Sequence, residues 1–123
     1  MYDHLGLKVK SLDASVRFYA AVLAPLGCEL CTQDASSAGF GPRGEPSFWL
    51  YGSAREGGAG THIAFRAQDR EAVKRFHAAG LKAGGSNNGT AGVRADYSPA
   101  YYAAFVIDPD GNNVEAVCMK ENT

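Results

Sequence analysis

The chain repeats itself. His4 and His62 stand 58 positions apart, and the same spacing goes on to pair Leu5 with Ile63, Leu7 with Phe65, Lys8 with Arg66, Ser11 with Asp69, Ala14 with Ala72, Arg17 with Arg75 and Phe18 with Phe76. A fixed spacing sustained this far constrains the fold more than any single motif, because both copies must adopt one supersecondary unit. Each copy opens on an alternating run, "HLGLKV" or "HIAFR", the period of a strand with one face buried. Each continues into an amphipathic helix: "SLDASVRFYAAVLA" with Ser11 as N-cap, and "DREAVKRFHAAG" with Asp69 as N-cap and Gly80 after the last turn. Leu12, Val16, Tyr19 and Leu23 share one face of the first helix, and Ala72, Phe76 and Ala79 one face of the second. Each helix therefore needs a sheet beneath it.

Strand candidates follow both helices: "CELCTQ", "AGFGPRG" and "PSFWLYG" in the first half, "KAGGS", "YYAAFVID" and "NNVEAVCM" in the second. The "DPDG" at 108–111 places Pro at the first central position of a type I turn and Gly at its end, so it should join the last two strands as a hairpin. Glycine clusters in "GFGPRG", "GGAG" and "GGSNNG" read as loops. The expected architecture is α+β, one domain over residues 1–123 built from two βαβββ modules at about 2–52 and 60–119, with "GSAREGGAG" connecting them.

A chain of 123 residues can bury a core without staples. A formal charge of −1 gives no electrostatic reason to expect nucleic acid or an anionic membrane as partner, so the expected ligand is a small molecule. No window has the ~20 apolar residues of a membrane span and no signal peptide is evident, so a cytoplasmic location is expected. Cys28, Cys31 and Cys118 fit a reducing compartment. "CELC" lacks the second pair that a zinc site needs, so these cysteines read as structural.

Alternation assigns the faces. If Leu5, Leu7 and Val9 pack under the first helix, His4, Gly6 and Lys8 face the other way, as do His62 and Ala64 in the second module. Val114, Ala116 and Cys118 likewise point toward the helices and Glu115 away, onto the histidines' face. A carboxylate inside an apolar strand costs several kcal/mol if buried alone, so Glu115 needs a cation or hydrogen-bond donors. A divalent metal held by His4, His62 and Glu115 meets that need, and a polar pocket without an ion is the other reading. Phe105, Ala103 and Tyr101 should share this face, Tyr101 as a donor to a ligand oxygen or as part of an aromatic wall. Tyr97 and Arg94 precede them in a loop that either closes over a ligand or covers an edge. Lys8 and Arg66 read as solvated strand ends, and His77 as a solvated helix residue.

The doubled βαβββ plan, "HLGLKV" with "SVRFYAAVLAPLG", the second histidine in "THIAF", and "DPDGNNVE" ending in glutamate together resemble the vicinal oxygen chelate superfamily, also called glyoxalase/bleomycin resistance/dioxygenase proteins. The resemblance covers about residues 2–119. It implies two modules whose sheets curl around a cavity, a homodimer, and a divalent ion (Zn, Ni, Mn or Fe) at His4, His62 and Glu115. The fourth ligand of glyoxalase I would fall at Trp49, whose indole cannot ligate a metal. The implied function is a metal-dependent lyase, isomerase or transferase of the glyoxalase type acting on a small oxygen-rich molecule, with Glu115 catalytic and Trp49, Tyr101 and Phe105 binding substrate. The alternatives are a bleomycin-resistance-like binder, in which those aromatics stack a planar ligand, and an iron-dependent extradiol-type dioxygenase.

Overall fold

The computed structural model describes residues 1–53 and 61–120. The first module runs β1 (Leu5–Val9), α1 (Leu12–Leu23), β2 (Glu29–Gln33), β3 (Ser37–Gly41) and β4 (Phe48–Gly52). The second runs β5 (His62–Arg66), α2 (Arg70–Lys82), β6 (Ser86–Val93), β7 (Tyr102–Ile107) and β8 (Asn113–Cys118). Each forms a four-stranded sheet, in the orders β1-β4-β3-β2 and β5-β8-β7-β6. The first strand of each module pairs parallel with its last, and the other pairings are antiparallel. That mixture follows from the connections: the helix carries the chain back to permit the parallel pair, and short turns join the rest. The α+β plan of two βαβββ modules is thus as the repeat implied, with two open sheets. Residues 54–60 of the expected connection lie outside the described residues.

Both caps form as read, Ser11 accepting from Ala14 N at 3.2 Å and Asp69 from Ala72 N at 2.8 Å. The second helix, however, runs through Gly80 to Lys82. Gly80 is buried where α2 crosses α1 and β7: a Cβ there would lie 3.1 Å from both γ-carbons of Val106 and 3.3 Å from Val22. It serves close packing, and the left-handed turn falls later, at Gly84 (φ +101). "KAGGS" is accordingly helix end and turn, while the strand lies downstream in "SNNGTAGV". Glycines read as loop markers stand inside strands, Gly39 and Gly41 in β3 and Gly89 in β6.

Phe18, Tyr19, Val22, Leu23, Val73 and Phe76 of the helices are buried against Val9, Phe40, Leu50, Val106, Val114 and Ala116 of the sheets. Leu12 and Val16 are only partly buried, so the packed face of α1 is turned toward Phe18 and Val22. Leu7 and Val9 pack beneath it as expected, but Leu5 is exposed at the start of an edge strand. His77 is not free in solvent: its Nε2 lies 2.9 Å from Asn87 Oδ1, tying α2 to β6. Lys8 and Arg66 are exposed.

The "DPDG" hairpin forms, with Gly111 N donating to Asp108 O at 3.0 Å. It also clasps the other module. Asp108, buried, accepts from Tyr19 Oη at 2.6 Å and from the Asn112 side chain at 2.9 Å, while Asp110 accepts from Lys10 N at 2.9 Å and Ser15 Oγ at 3.3 Å. Phe48 and Phe65 meet edge to face across the modules, 5.3 Å between centroids.

Candidate functional site

The site is built on the face of the second sheet opposite the helices. Register sets Ala64 beside Glu115, Glu115 beside Phe105, and Phe105 beside Gly89, one row across four strands. Residues paired this way point to the same side, so the alternation that sends Val114 and Ala116 into the core leaves Glu115 and Phe105 on the open face. Glu115 is nonetheless only 2% exposed. Its carboxylate has two partners: Tyr101 Oη donates to Oε2 at 2.5 Å, and His62 Nε2 lies 3.1 Å from Oε1. Burial first, then the hydrogen bond to Glu115 and its charge, push the Tyr101 hydroxyl up to about 12, against a smaller opposing pull from Arg94. Tyr101 therefore stays a donor throughout the neutral range.

The imidazole of His62 is oriented from behind, its Nδ1 lying 3.1 Å from the carbonyl oxygen of Asn113. A carbonyl only accepts, so Nδ1 carries the hydrogen, and in the neutral ring Nε2 then presents a lone pair. That lone pair faces a carboxylate oxygen. Two acceptors facing each other repel, and the pair is satisfied only by a cation between them, either a proton or a metal ion. The donor chemistry suits a divalent ion: an imidazole nitrogen held by a backbone carbonyl and a carboxylate held by a tyrosine are ligands with their outer contacts in place. Phe105 stacks beside the ring, 24° from parallel and 6.4 Å between centroids.

His62, Glu115, Tyr101 and Phe105 thus come together, and two further residues of the preceding loop join them. Tyr97 packs edge to face on Tyr101 at 4.9 Å, and the Arg94 guanidinium lies over Phe105, 5.3 Å from its centroid. The carbonyl of Asn113 escaped the sequence reading, since a backbone acceptor leaves no residue-type signal.

His4 and Trp49 sit on the first sheet instead. His4 precedes β1 and its exposed ring bonds Asp3 Oδ1 at 2.7 Å. Trp49 stacks on Tyr51, 13° from parallel and 6.4 Å apart, in space left by Gly39, where a Cβ would meet the indole at 2.9 Å. Among the described residues no group of three His, Cys, Asp or Glu side chains is assembled to hold an ion within one chain. A groove of about 390 Å³ runs between the unpaired edges of β1 and β5, lined by Tyr2, Leu5, Phe48, His62, Ile63 and others.

Residues 2–116 match the family model of the Glyoxalase/Bleomycin resistance protein/Dioxygenase superfamily. The chain belongs to that superfamily. Its fold is shared with a glyoxalase/bleomycin resistance protein from Albidiferax ferrireducens T118, 28% identical, with a TM-score of 0.83 over 96% of this chain and 98% of that one. A glyoxalase/bleomycin resistance protein/dioxygenase family enzyme from Burkholderia phytofirmans PsJN has a TM-score of 0.73 at 15% identity, covering 96% and 98% of the two chains. A glyoxalase-related enzyme from Fulvimarina pelagi has 0.71 at 17%, covering 96% and 87%. Among curated proteins there is no significant match. For this superfamily member no helix among the described residues is long and apolar enough to cross a membrane.

Proposed function

We propose that the chain is a metal-dependent enzyme of the glyoxalase type, acting on a small oxygen-rich molecule at the open face of its second sheet. One observation carries this reading: a buried carboxylate and a carbonyl-oriented imidazole face each other across 3.1 Å, an arrangement that calls for a cation between them. His62 and Glu115 would hold a divalent ion there. His4, the repeat counterpart of His62, would complete the set from a second copy in a homodimer.

A bound divalent ion supplies Lewis acidity toward adjacent substrate oxygens. The chain's own residues set the stage. Asn113 fixes the His62 ring, and Tyr101 fixes the plane of Glu115 by holding Oε2. Phe105, paired with Glu115 in register, walls the carboxylate on the side of β7, and Tyr97 braces the Tyr101 ring. Glu115 would help to hold the ion, and with Oε2 kept by the Tyr101 hydroxyl, Oε1 is the oxygen that could accept a substrate proton.

Metal analysis of the purified protein is the test. The expected result is about one divalent ion per chain, lost in His62→Ala and Glu115→Ala and weakened in His4→Ala. Iron with oxygen uptake would select the dioxygenase chemistry, whereas zinc, nickel or manganese would select the redox-silent one. A wild type that takes up no divalent ion overturns the proposal.

A second reading is a non-catalytic small-molecule binder, favoured by the separation of His4 and Trp49 from the Glu115 cluster within one chain. In it a protonated His62 pairs with Glu115, and Tyr101 and Phe105 form the wall on which a planar ligand rests.

A further inference from the structure

One positive charge on the open face of the second sheet has been given a bed but no counter-ion. Arg94 follows β6 and folds back along it. Its Nη1 donates to Gly92 O at 3.1 Å and its Nη2 to Thr90 O at 2.7 Å, while the guanidinium carbon lies over the Phe105 ring. The strand is shaped around this group. A Cβ at Gly89 would come within 3.1 Å of Nη2 and 2.9 Å of the Phe105 ring, and one at Gly92 within 3.3 Å of Nη1. Gly89 has φ +153, and the β6–β7 register shifts on either side of it. A side chain at Gly89 would press on the Phe105 ring and crowd the guanidinium, and one at Gly92 would touch its other nitrogen.

Arg94 is half-buried, and among the described residues no carboxylate lies within ion-pair distance of it. Two of the five N–H groups of a guanidinium are engaged by carbonyls. Those bonds and the ring beneath fix its plane, so little side-chain freedom remains to be lost when an anion docks. Gly89, Phe105 and Glu115 follow one another in register on three adjacent strands, each ~4.8 Å from the next. A cation, an aromatic surface and the Tyr101–Glu115–His62 cluster therefore lie in sequence across ~10 Å, the span of a small molecule.

We infer that Arg94 is an anion-recognising subsite of this face, and that the molecule bound there is a small carboxylate whose other end carries a hydroxyl or carbonyl oxygen for the Glu115 cluster. The inference rests on the proposed site for the position of the second end, and it does not require the metal.

The test is titration of ¹⁵N-labelled protein with 3-(4-hydroxyphenyl)propionate, whose phenol oxygen lies at the far end of the ring from the carboxylate, and with its neutral amide, with and without a chelator, following the amides of Thr90 and Gly92. The wild type should bind the acid on the order of tenfold more tightly, the worth of a charge-assisted hydrogen bond. Arg94→Gln should abolish that preference and Arg94→Lys retain part of it. Lys8→Gln, which removes a solvated cation from the other sheet, should leave it intact. Equal affinity for acid and amide, binding of neither at millimolar concentration, or a preference that survives in Arg94→Gln overturns the inference. An acid preference that depends on Arg94 in a protein taking up no metal would overturn the metal proposal alone. Metal uptake with no such preference would overturn the subsite alone.

Discussion

Trp49 stands in the first module where Glu115 stands in the second. Gly6 pairs with Trp49 in the register of β1 and β4, Ala64 pairs with Glu115 in that of β5 and β8, and Gly6 and Ala64 are repeat partners. Of two equivalent strand positions, one carries a buried carboxylate and the other an aromatic platform.

Trp49 is the single tryptophan, so its emission reports on that platform alone. A planar ligand stacking there should quench it. Trp49→Phe should cost no more than about 1 kcal/mol by urea denaturation, because the indole is half-buried and a ring is retained over Gly39.

Tyr101→Phe removes the donor to a buried carboxylate oxygen and should cost about 1–3 kcal/mol, since Oε2 is then left without a partner. The pH dependence has a sign. The folded-state pKa is raised above the ordinary phenol value of 10.0, so the contribution is fully present below pH 10 and is lost as pH rises toward about 12. Denaturation curves across that window should fall less steeply for the variant than for wild type.

Tyr19→Phe should be as costly, about 1–3 kcal/mol, because it takes a 2.6 Å hydrogen bond from buried Asp108. Burial, then the charge of Asp108, raise the Tyr19 hydroxyl far above its ordinary value, so this variant too should flatten the alkaline loss. Unlike Tyr101→Phe it should leave metal uptake and ligand affinity unchanged, which separates a fold contact from a site contact.

Gly80→Ala sets two effects of known size against each other. Helix propensity favours alanine by about 1 kcal/mol. Contacts of 3.1 Å with both γ-carbons of a stiff, β-branched Val106 in a filled core oppose it by about 1–3 kcal/mol. The variant should lose about 1 kcal/mol in denaturant midpoint analysis.

What the sequence disclosed follows from periodicity. The repeat fixed the module plan, and strict alternation put Tyr101, Phe105 and Glu115 on one face, because side chains in a strand change sides at every residue. What it concealed depends on geometry between elements. Gly80 reads as a helix stop by residue type, yet it is retained by the proximity of Val106 and Val22. The strand in "SNNGTAGV" has neither alternation nor apolar residues enough to announce itself, since its glycines make room for Arg94 and Phe105. His4 and His62 share a repeat position, but sharing a position in two modules does not bring two side chains together in one chain.

The clasp at Asp108 and Asp110 has a consequence for how the two halves exist. The turn of the second module supplies hydrogen-bond acceptors to the start of the first module's helix and to the hydroxyl of its most deeply buried tyrosine. Neither half, cut free, would own all the groups that satisfy its polar atoms. The halves are duplicated in sequence but interdependent in folding, so a chain severed between Ser53 and Thr61 should yield two fragments that gain order on meeting, and a single melting transition should describe their union.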